Sequence, residues 1–249
     1  MLTPQEASET RGDVAVLVSG GLDSAVLAVD LLGEFARVFP IHVRFGLRWE
    51  DAERTHLLAF LEAASRDRPG LMPLTVLEEP IAQVYGDHWS NAGRPGVPDA
   101  LTDDDAVYLP GRNVLLAAKA AVWCRLRGIE ALAFGILKGN PFPDGTPDFF
   151  SDLAGVLNRA MDGRLRILRP YERSTKSEVL RRGLGLPLSL TFSCLDPVEN
   201  RHCGRCNKCE ERRKAFQRLG VADQTDYASL PAALPIEAPS ARDFTTCIE

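Results

Sequence analysis

Val14-Ala15-Val16-Leu17-Val18 is an unbroken apolar run rich in β-branched residues, the pattern of a short buried strand. Two glycines flanked by hydroxyls follow, and over residues 25–32 the apolar positions take up helical spacing, so the chain begins as strand, tight loop and helix. The alternation then repeats. Residues 38–43 read as a second strand, 51–64 as a helix with Leu57, Leu58 and Leu61 on one side, and 71–77 as a third strand. Residues 114–126 read as a strongly apolar helix, 131–136 as a fourth strand, 148–161 as a helix and 164–168 as a short fifth strand. A further helix starts at Ser174-Thr175-Lys176-Ser177-Glu178, with Ser174 as its cap and Ser177 or Glu178 supporting the first turn. Strands alternating with helices at this spacing predict an α/β fold: a doubly wound, parallel, five-stranded sheet whose ligands lie at the carboxyl ends of the strands.

Three stretches break the pattern. Residues 86–106 turn to Gly, Pro, Asp and Asn around Trp89, and a loop of that length inside a compact domain is expected to act as a lid. Residues 138–148 carry three prolines and two glycines, which rules out regular structure and leaves a shaped loop where a substrate would sit. Beyond Asp223 the chain is rich in Ala and Pro, so residues 222–249 are expected to form an extended or disordered tail, with Cys247 a free thiol. The expected organisation is a main domain over 1–190, a cysteine-bearing segment over 191–221, and that tail.

The opening loop carries the clearest chemistry. In Ser19-Gly20-Gly21-Leu22-Asp23-Ser24 the glycines let the backbone approach an anion, the amides at the helix start point at it, and Ser19 and Ser24 add hydroxyl donors. It is not a Walker loop, since no Gly-Lys-Ser/Thr follows, and it lacks the Gly-x-Gly-x-x-Gly spacing of dinucleotide folds. Phe45-Gly46-Leu47-Arg48 follows the second strand and is a candidate for the adenosine side of a nucleotide, whereas His42 reads as a packed histidine. Arg112 and Asn113 open the apolar helix. An arginine there has no unpaired resting place in a core and is a candidate clamp for phosphate or carboxylate, while Cys124 on the same helix reads as core. Lys176 in a first helical turn opposes the helix dipole, and a bound anion would explain it. Asp103-Asp104-Asp105 could bind metal, but three adjacent carboxylates read first as a solvated turn or helix start.

Composition narrows the partners. With 29 basic and 34 acidic residues the formal net charge is −5, which speaks against a general nucleic-acid footprint and for a small-molecule partner. No apolar run approaches bilayer length and residues 1–11 are polar, so a cytoplasmic location is expected, with no membrane. Of six cysteines, Cys194, Cys203, Cys206 and Cys209 crowd together, and Gly204 supplies a knuckle turn. Four thiolates at these spacings suit structural zinc, with an iron–sulfur cluster as the chemical alternative; His202 adjoins a site that the four already fill.

Ser19-Gly20-Gly21-Leu22-Asp23-Ser24 resembles the pyrophosphate loop of the ATP pyrophosphatases. Joined to Phe45-Gly46-Leu47-Arg48, Pro110-Gly111-Arg112-Asn113, Ser174-Thr175-Lys176-Ser177-Glu178 and Cys203-Gly204-Arg205-Cys206, it makes the chain from residue 14 to 220 resemble the 7-cyano-7-deazaguanine synthase family, with its adenine nucleotide alpha hydrolase-like fold. The resemblance implies that ATP adenylates 7-carboxy-7-deazaguanine, that ammonia displaces AMP to give an amide, and that a second activation yields the nitrile. It implies ATP, magnesium and structural zinc as cofactors. It casts Ser19, Asp23, Arg112 and Lys176 as catalytic, residues 19–24 and Arg48 as ATP-binding, and Arg112, Asn113, Phe142 and Asp144 as substrate-binding. Where the family has a Cys-Arg pair after Tyr-Pro-Asp, this chain has Gly145-Thr146, removing a cation and bulk from the base pocket. A relative that stops at the amide, or joins the acid to another amine such as a protein amino group, is therefore the alternative, and a tRNA-modifying loop-type enzyme the more distant one. A homodimer is left open.

Overall fold

The computed structural model describes residues 12–229. Five parallel strands form one sheet in the order β3-β2-β1-β4-β5. They are β1 (Asp13–Leu17), β2 (Arg37–Arg44), β3 (Thr75–Glu78), β4 (Ala131–Ala133) and β5 (Arg166–Leu168). The helices are α1 (Leu22–Asp30), α2 (Glu50–Ser65), α3 (Ala82–Tyr85), α4 (Arg112–Arg125), α5 (Pro147–Met161), α6 (Lys176–Arg182) and α7 (Asn207–Leu219). The doubly wound architecture expected from the alternation is the one observed.

β1 shows why both faces are covered. Val14 and Val16 point into a core with α1, α2, α6 and α7, while Ala15 and Leu17 point into one with α4 and Phe150 of α5. Period-2 alternation in an all-apolar strand thus serves two layers at once. Val14 and Val16 are wholly buried, and burial of such a side chain contributes roughly 1.5–3 kcal/mol. β1 pairs with β2 through Asp13↔Arg37 to Leu17↔Ile41, and with β4 only through Ala15↔Leu132 and Val16↔Ala133. Strand order reverses between β1 and β4, the switch point at which open α/β sheets leave a crevice.

Several boundaries differ from the sequence reading. β3 spans 75–78 rather than 71–77, because Leu71 contributes only an isolated bridge to Val38. β4 ends at Ala133, which frees residues 134–136 to border the crevice. The cap of α6 is Thr175, not Ser174: its Oγ1 accepts from Glu178 N at 3.3 Å while Glu178 accepts from Thr175 N at 2.7 Å. Ser174 N is already turned back onto Tyr171 O. Asp103-Asp104-Asp105 does start a 3-10 helix, Asp104–Val107.

The segment 86–106 is tied down along its length. Ala100 N donates to Arg205 O, Asn207 N to Pro98 O, and Asn91 Nδ2 to Ala82 O and Gly86 O. The start of the expected tail is likewise packed. Buried Arg212 donates to Thr225 Oγ1 (2.7 Å), Thr191 Oγ1 (2.8 Å) and Leu188 O (2.8 Å), and Ser229 Oγ donates to Cys203 O. Residues 223–229 therefore belong to the folded body, while 230–249, with Cys247, lie outside the described residues.

Candidate active site

The phosphate loop turns at Gly20, whose φ of +86° favours glycine; a Cβ there would also stand 3.0 Å from Glu53 Cγ. Gly20 O accepts from Phe192 N at 2.7 Å, so the loop is held by the irregular segment leading to the cysteines. Ser24 Oγ accepts from Ser19 N at 3.2 Å and donates to Gly21 O at 3.1 Å, and Gly21 N donates to Ser19 Oγ at 3.3 Å. Gly21 caps α1 without a side chain, leaving the first-turn amides with no side-chain cap beside a cleft lined by Ser19, Gly21 and Asp23.

Charge converges on that cleft from elements far apart in sequence. Lys176 Nζ, at the start of α6, lies 2.5 Å from Asp23 Oδ2 and 3.2 Å from Glu211 Oε1, and Glu211 also meets Lys208 at 2.6 Å. Burial alone would lower the Lys176 ammonium, but the two carboxylates outweigh it and raise its pKa above the ordinary value. Lys176 chiefly, then Lys208, hold Glu211 down at about 2. The dipole conflict noted for Lys176 is thus already answered by these carboxylates. Asp23 Oδ1 is buried and has no hydrogen-bond partner among the described residues, and the same holds for Arg112 Nε. Arg112 forms no ion pair among the described residues; its guanidinium faces the Phe45 ring at 6.0 Å.

Two flatter surfaces flank the loop. Leu17, Val18, Val43 and residues 134–136 line a slot over the strand ends next to Ser19 and Ser24. His42 is packed as expected, with Nδ1 2.9 Å from Val18 O, yet its partnerless Nε2 is buried along this slot. Burial lowers its pKa, so the ring is neutral. On the other side Trp49, Trp89, Phe142 and Phe192 line the cleft, Trp49 and Trp89 stacking at 5.7 Å and 26°.

Of the residues singled out from sequence, the structure brings Ser19, Gly21, Leu22, Asp23, Arg112, Phe142 and Lys176 to one cleft, with Gly20 and Ser24 in the loop itself. It does not bring Arg48 there. That side chain donates to Trp89 O (3.1 Å) and Arg94 O (2.9 Å) and pairs with Asp196 (3.1 Å), so its donors clip segment 86–106 to the cysteine module. Nor do Asn113 and Asp144 line the cleft: Asp144 Oδ2 accepts from Asn113 N at 3.1 Å and Asn113 Nδ2 donates to Asp144 O at 2.9 Å. Asp144 is spent on the start of α4. Glu53, Lys208, Glu211 and Trp49 line the cleft without having been singled out. Glu53 had a signal, since it lies four residues before Leu57, where the apolar stripe of α2 calls for a hydrophobe.

Cys194, Cys203, Cys206 and Cys209 are buried, and their sulfurs all lie within 4.8 Å of one another. Cys203 and Cys209 sulfurs are 3.9 Å apart, as are those of Cys206 and Cys194. A tetrahedron with metal–sulfur bonds of about 2.3 Å has edges of about 3.8 Å, so the donor set fits a four-coordinate ion with no open position. Gly204 turns at φ +80°, and the amides of Leu195, Asp196, Cys203, Arg205 and Cys206 donate to the sulfurs, as thiolate ligands require.

The family model described as Queuosine biosynthesis protein QueC matches residues 13–220. The chain belongs to the QueC family. Its relatives include the 7-cyano-7-deazaguanine synthase of Syntrophobacter fumaroxidans, 32% identical over 242 residues, covering 88% of this chain and 97% of that protein. That of Methanopyrus kandleri is 33% identical over 229 residues, covering 85% and 97%. Among solved structures, a 4-thiouridine synthetase in complex with RNA and bound ATP superposes with a TM-score of 0.48 at 15% identity, over 84% of this chain and 50% of that one. So loose a likeness carries no argument about chemistry. Within the QueC frame the match runs from β1 to the end of α7 and takes in both the cleft and the four cysteines. No helix among the described residues is long and apolar enough to cross a membrane.

Proposed function

We propose that the cleft uses ATP to adenylate 7-carboxy-7-deazaguanine and passes the activated acid to ammonia, giving 7-cyano-7-deazaguanine through an amide. The observation that carries this reading is the convergence of an uncapped glycine loop with Asp23, Lys176 and Arg112, a set suited to a pyrophosphate leaving group. The slot lined by Leu17, Val18, Val43 and Gly135 suits the adenine, and the Trp49, Trp89 and Phe142 side suits a planar deazapurine. A carboxylate is a poor electrophile until its oxygen becomes a leaving group. Its attack on the α-phosphorus expels pyrophosphate, and the loop amides, Ser19, Lys176 and Arg112 carry the charge that develops. Ammonia then attacks the acyl carbon and AMP departs; a second adenylation, on the amide oxygen, precedes loss of protons and AMP to leave the nitrile.

Asp23, with its buried unpartnered Oδ1, fits a divalent cation. Magnesium held there would neutralise charge on the departing pyrophosphate. The four cysteines fit structural zinc.

The second reading rests on the substrate loop. A Cβ at Gly145 would lie 2.6 Å from Asn140 Oδ1, so glycine makes room for Asn140, which lines the cleft. A reshaped pocket favours a relative that acts on the same acid but stops at the amide or transfers it to another amine, a protein amino group included. Incubation with ATP, magnesium, ammonium and 7-carboxy-7-deazaguanine, followed by mass spectrometry of small molecules and protein, separates the two. Nitrile with two AMP per product supports the first reading, and amide with one AMP, or a protein adduct, the second. An acid left unconsumed removes both.

A further inference from the structure

Glu53 stands in the apolar stripe of α2 with Leu57, Phe60 and Leu61, is 7% exposed, and borders the cleft beside Gly21, Arg112 and Ser193. No hydrogen bond or ion pair reaches its carboxylate among the described residues. A carboxylate this far buried and without a protein donor costs stability, and it opens on the cleft, so its presence there calls for a task. Its position is fixed by the helix, where Glu53 N donates to Trp49 O, and by Gly20, against which its Cγ packs. We propose that Glu53 is the proton acceptor that readies the amine for attack on the adenylated acid, an assignment that rests on the function proposed above.

Ammonium gives one proton to the Glu53 carboxylate, and the electron pair left on nitrogen forms the C–N bond to the acyl carbon. The C–O bond to AMP breaks, its pair remaining on the phosphate oxygen, and the surplus proton on the adduct nitrogen passes to the departing AMP. Amide, AMP and protonated Glu53 result.

The surroundings strengthen Glu53 as a base. Burial pushes the Glu53 carboxyl well up, Arg112 on α4 pulls it down and Glu50 on α2 pushes it further up. The other charged groups lining the cleft are Asp23, Lys176, Lys208 and Glu211, of which the last three are joined in ion pairs with one another and Asp23 with Lys176. A carboxylate raised above its ordinary range takes a proton more readily than a free one.

The test separates activation from transfer. In Glu53→Gln, exchange of pyrophosphate into ATP that depends on the acid should stay within about twofold of wild type, while amide formation from ammonium falls by about a hundredfold. Hydroxylamine, uncharged at neutral pH, should restore transfer to within about tenfold. In the wild type, transfer per total ammonium should rise with pH and level off well below the pKa of ammonium itself, where attack by free ammonia alone would go on rising, and this limb should be absent with hydroxylamine, a check that needs no variant to fold. Exchange and transfer falling together would assign Glu53 to the phosphate or metal site instead, and unchanged transfer, or the same acid limb with both amines, would also overturn the proposal. Wild-type protein without acid-dependent exchange would remove the functional reading itself and this inference with it.

Discussion

The cysteine module and the phosphate-loop cleft lie side by side, and the sulfurs of the first are supplied with donors whereas charged and polar atoms of the second are left open. In the module, thiols accept from backbone amides, and the buried Arg212 finds Thr225, Thr191 and Leu188 for its donors. In the cleft and its flanking slot, Asp23 Oδ1, Arg112 Nε and His42 Nε2 are buried without partners among the described residues. A closed site contributes to folding, whereas an open one holds groups in readiness at a cost in stability. The two are joined where Phe192 N donates to Gly20 O, two residues before Cys194, so the closed region fixes the open one.

The contrast breaks hardest at Asp23. Asp23→Asn keeps the size but removes the charge opposite Lys176, and turnover should fall by about 10²–10³-fold. Circular dichroism should show the fold retained; loss of the fold would mean the pair with Lys176 is structural first. On the closed side, Cys206→Ser should reduce the metal from about one ion per chain and lower the melting temperature by about 10 °C or more. Metal analysis of anaerobically purified protein should find zinc, and iron with a visible absorption band would contradict that assignment. Arg112→Lys keeps a positive charge but loses the fork, and should cost about tenfold in kcat/KM with the melting temperature little changed.

The smallest effect concerns stability. Because the Glu53 pKa is raised in the folded state, its contribution is intact below the unfolded value near 4 and is lost as pH rises through the folded value. Glu53→Gln should therefore raise the melting temperature at pH 8, by about 2–4 °C for each kcal/mol relieved, and the gain should vanish near pH 4. A stabilisation independent of pH would mean that charge is not its source.

Much of this was legible in the chain because it rests on local pattern. Val14 to Val18 reads as a strand whichever layer covers it, and residues 19–24 carry the loop chemistry in six consecutive positions. What escaped depends on distant partners. Arg48 is a sensible nucleotide ligand by position, but its acceptors, Trp89 O, Arg94 O and Asp196, come from segments that no periodicity places beside it. Asp144 likewise meets Asn113 across 31 residues to start α4. The answer to the cation at the start of α6 lies 153 residues away, at Asp23. Residues 223–229 read as tail because their hold is Arg212, a charged residue whose burial only the fold reveals. Glu53 was the exception, visible as an acid in an apolar stripe.

On the proposed function, this cleft cleaves ATP between the α- and β-phosphates while activating an acid. Nucleotide analysis after incubation with ATP, magnesium, ammonium and 7-carboxy-7-deazaguanine tests it most directly. AMP and pyrophosphate, formed only when the acid is present, are the expected products; ADP and phosphate, or AMP released at the same rate without the acid, would contradict it.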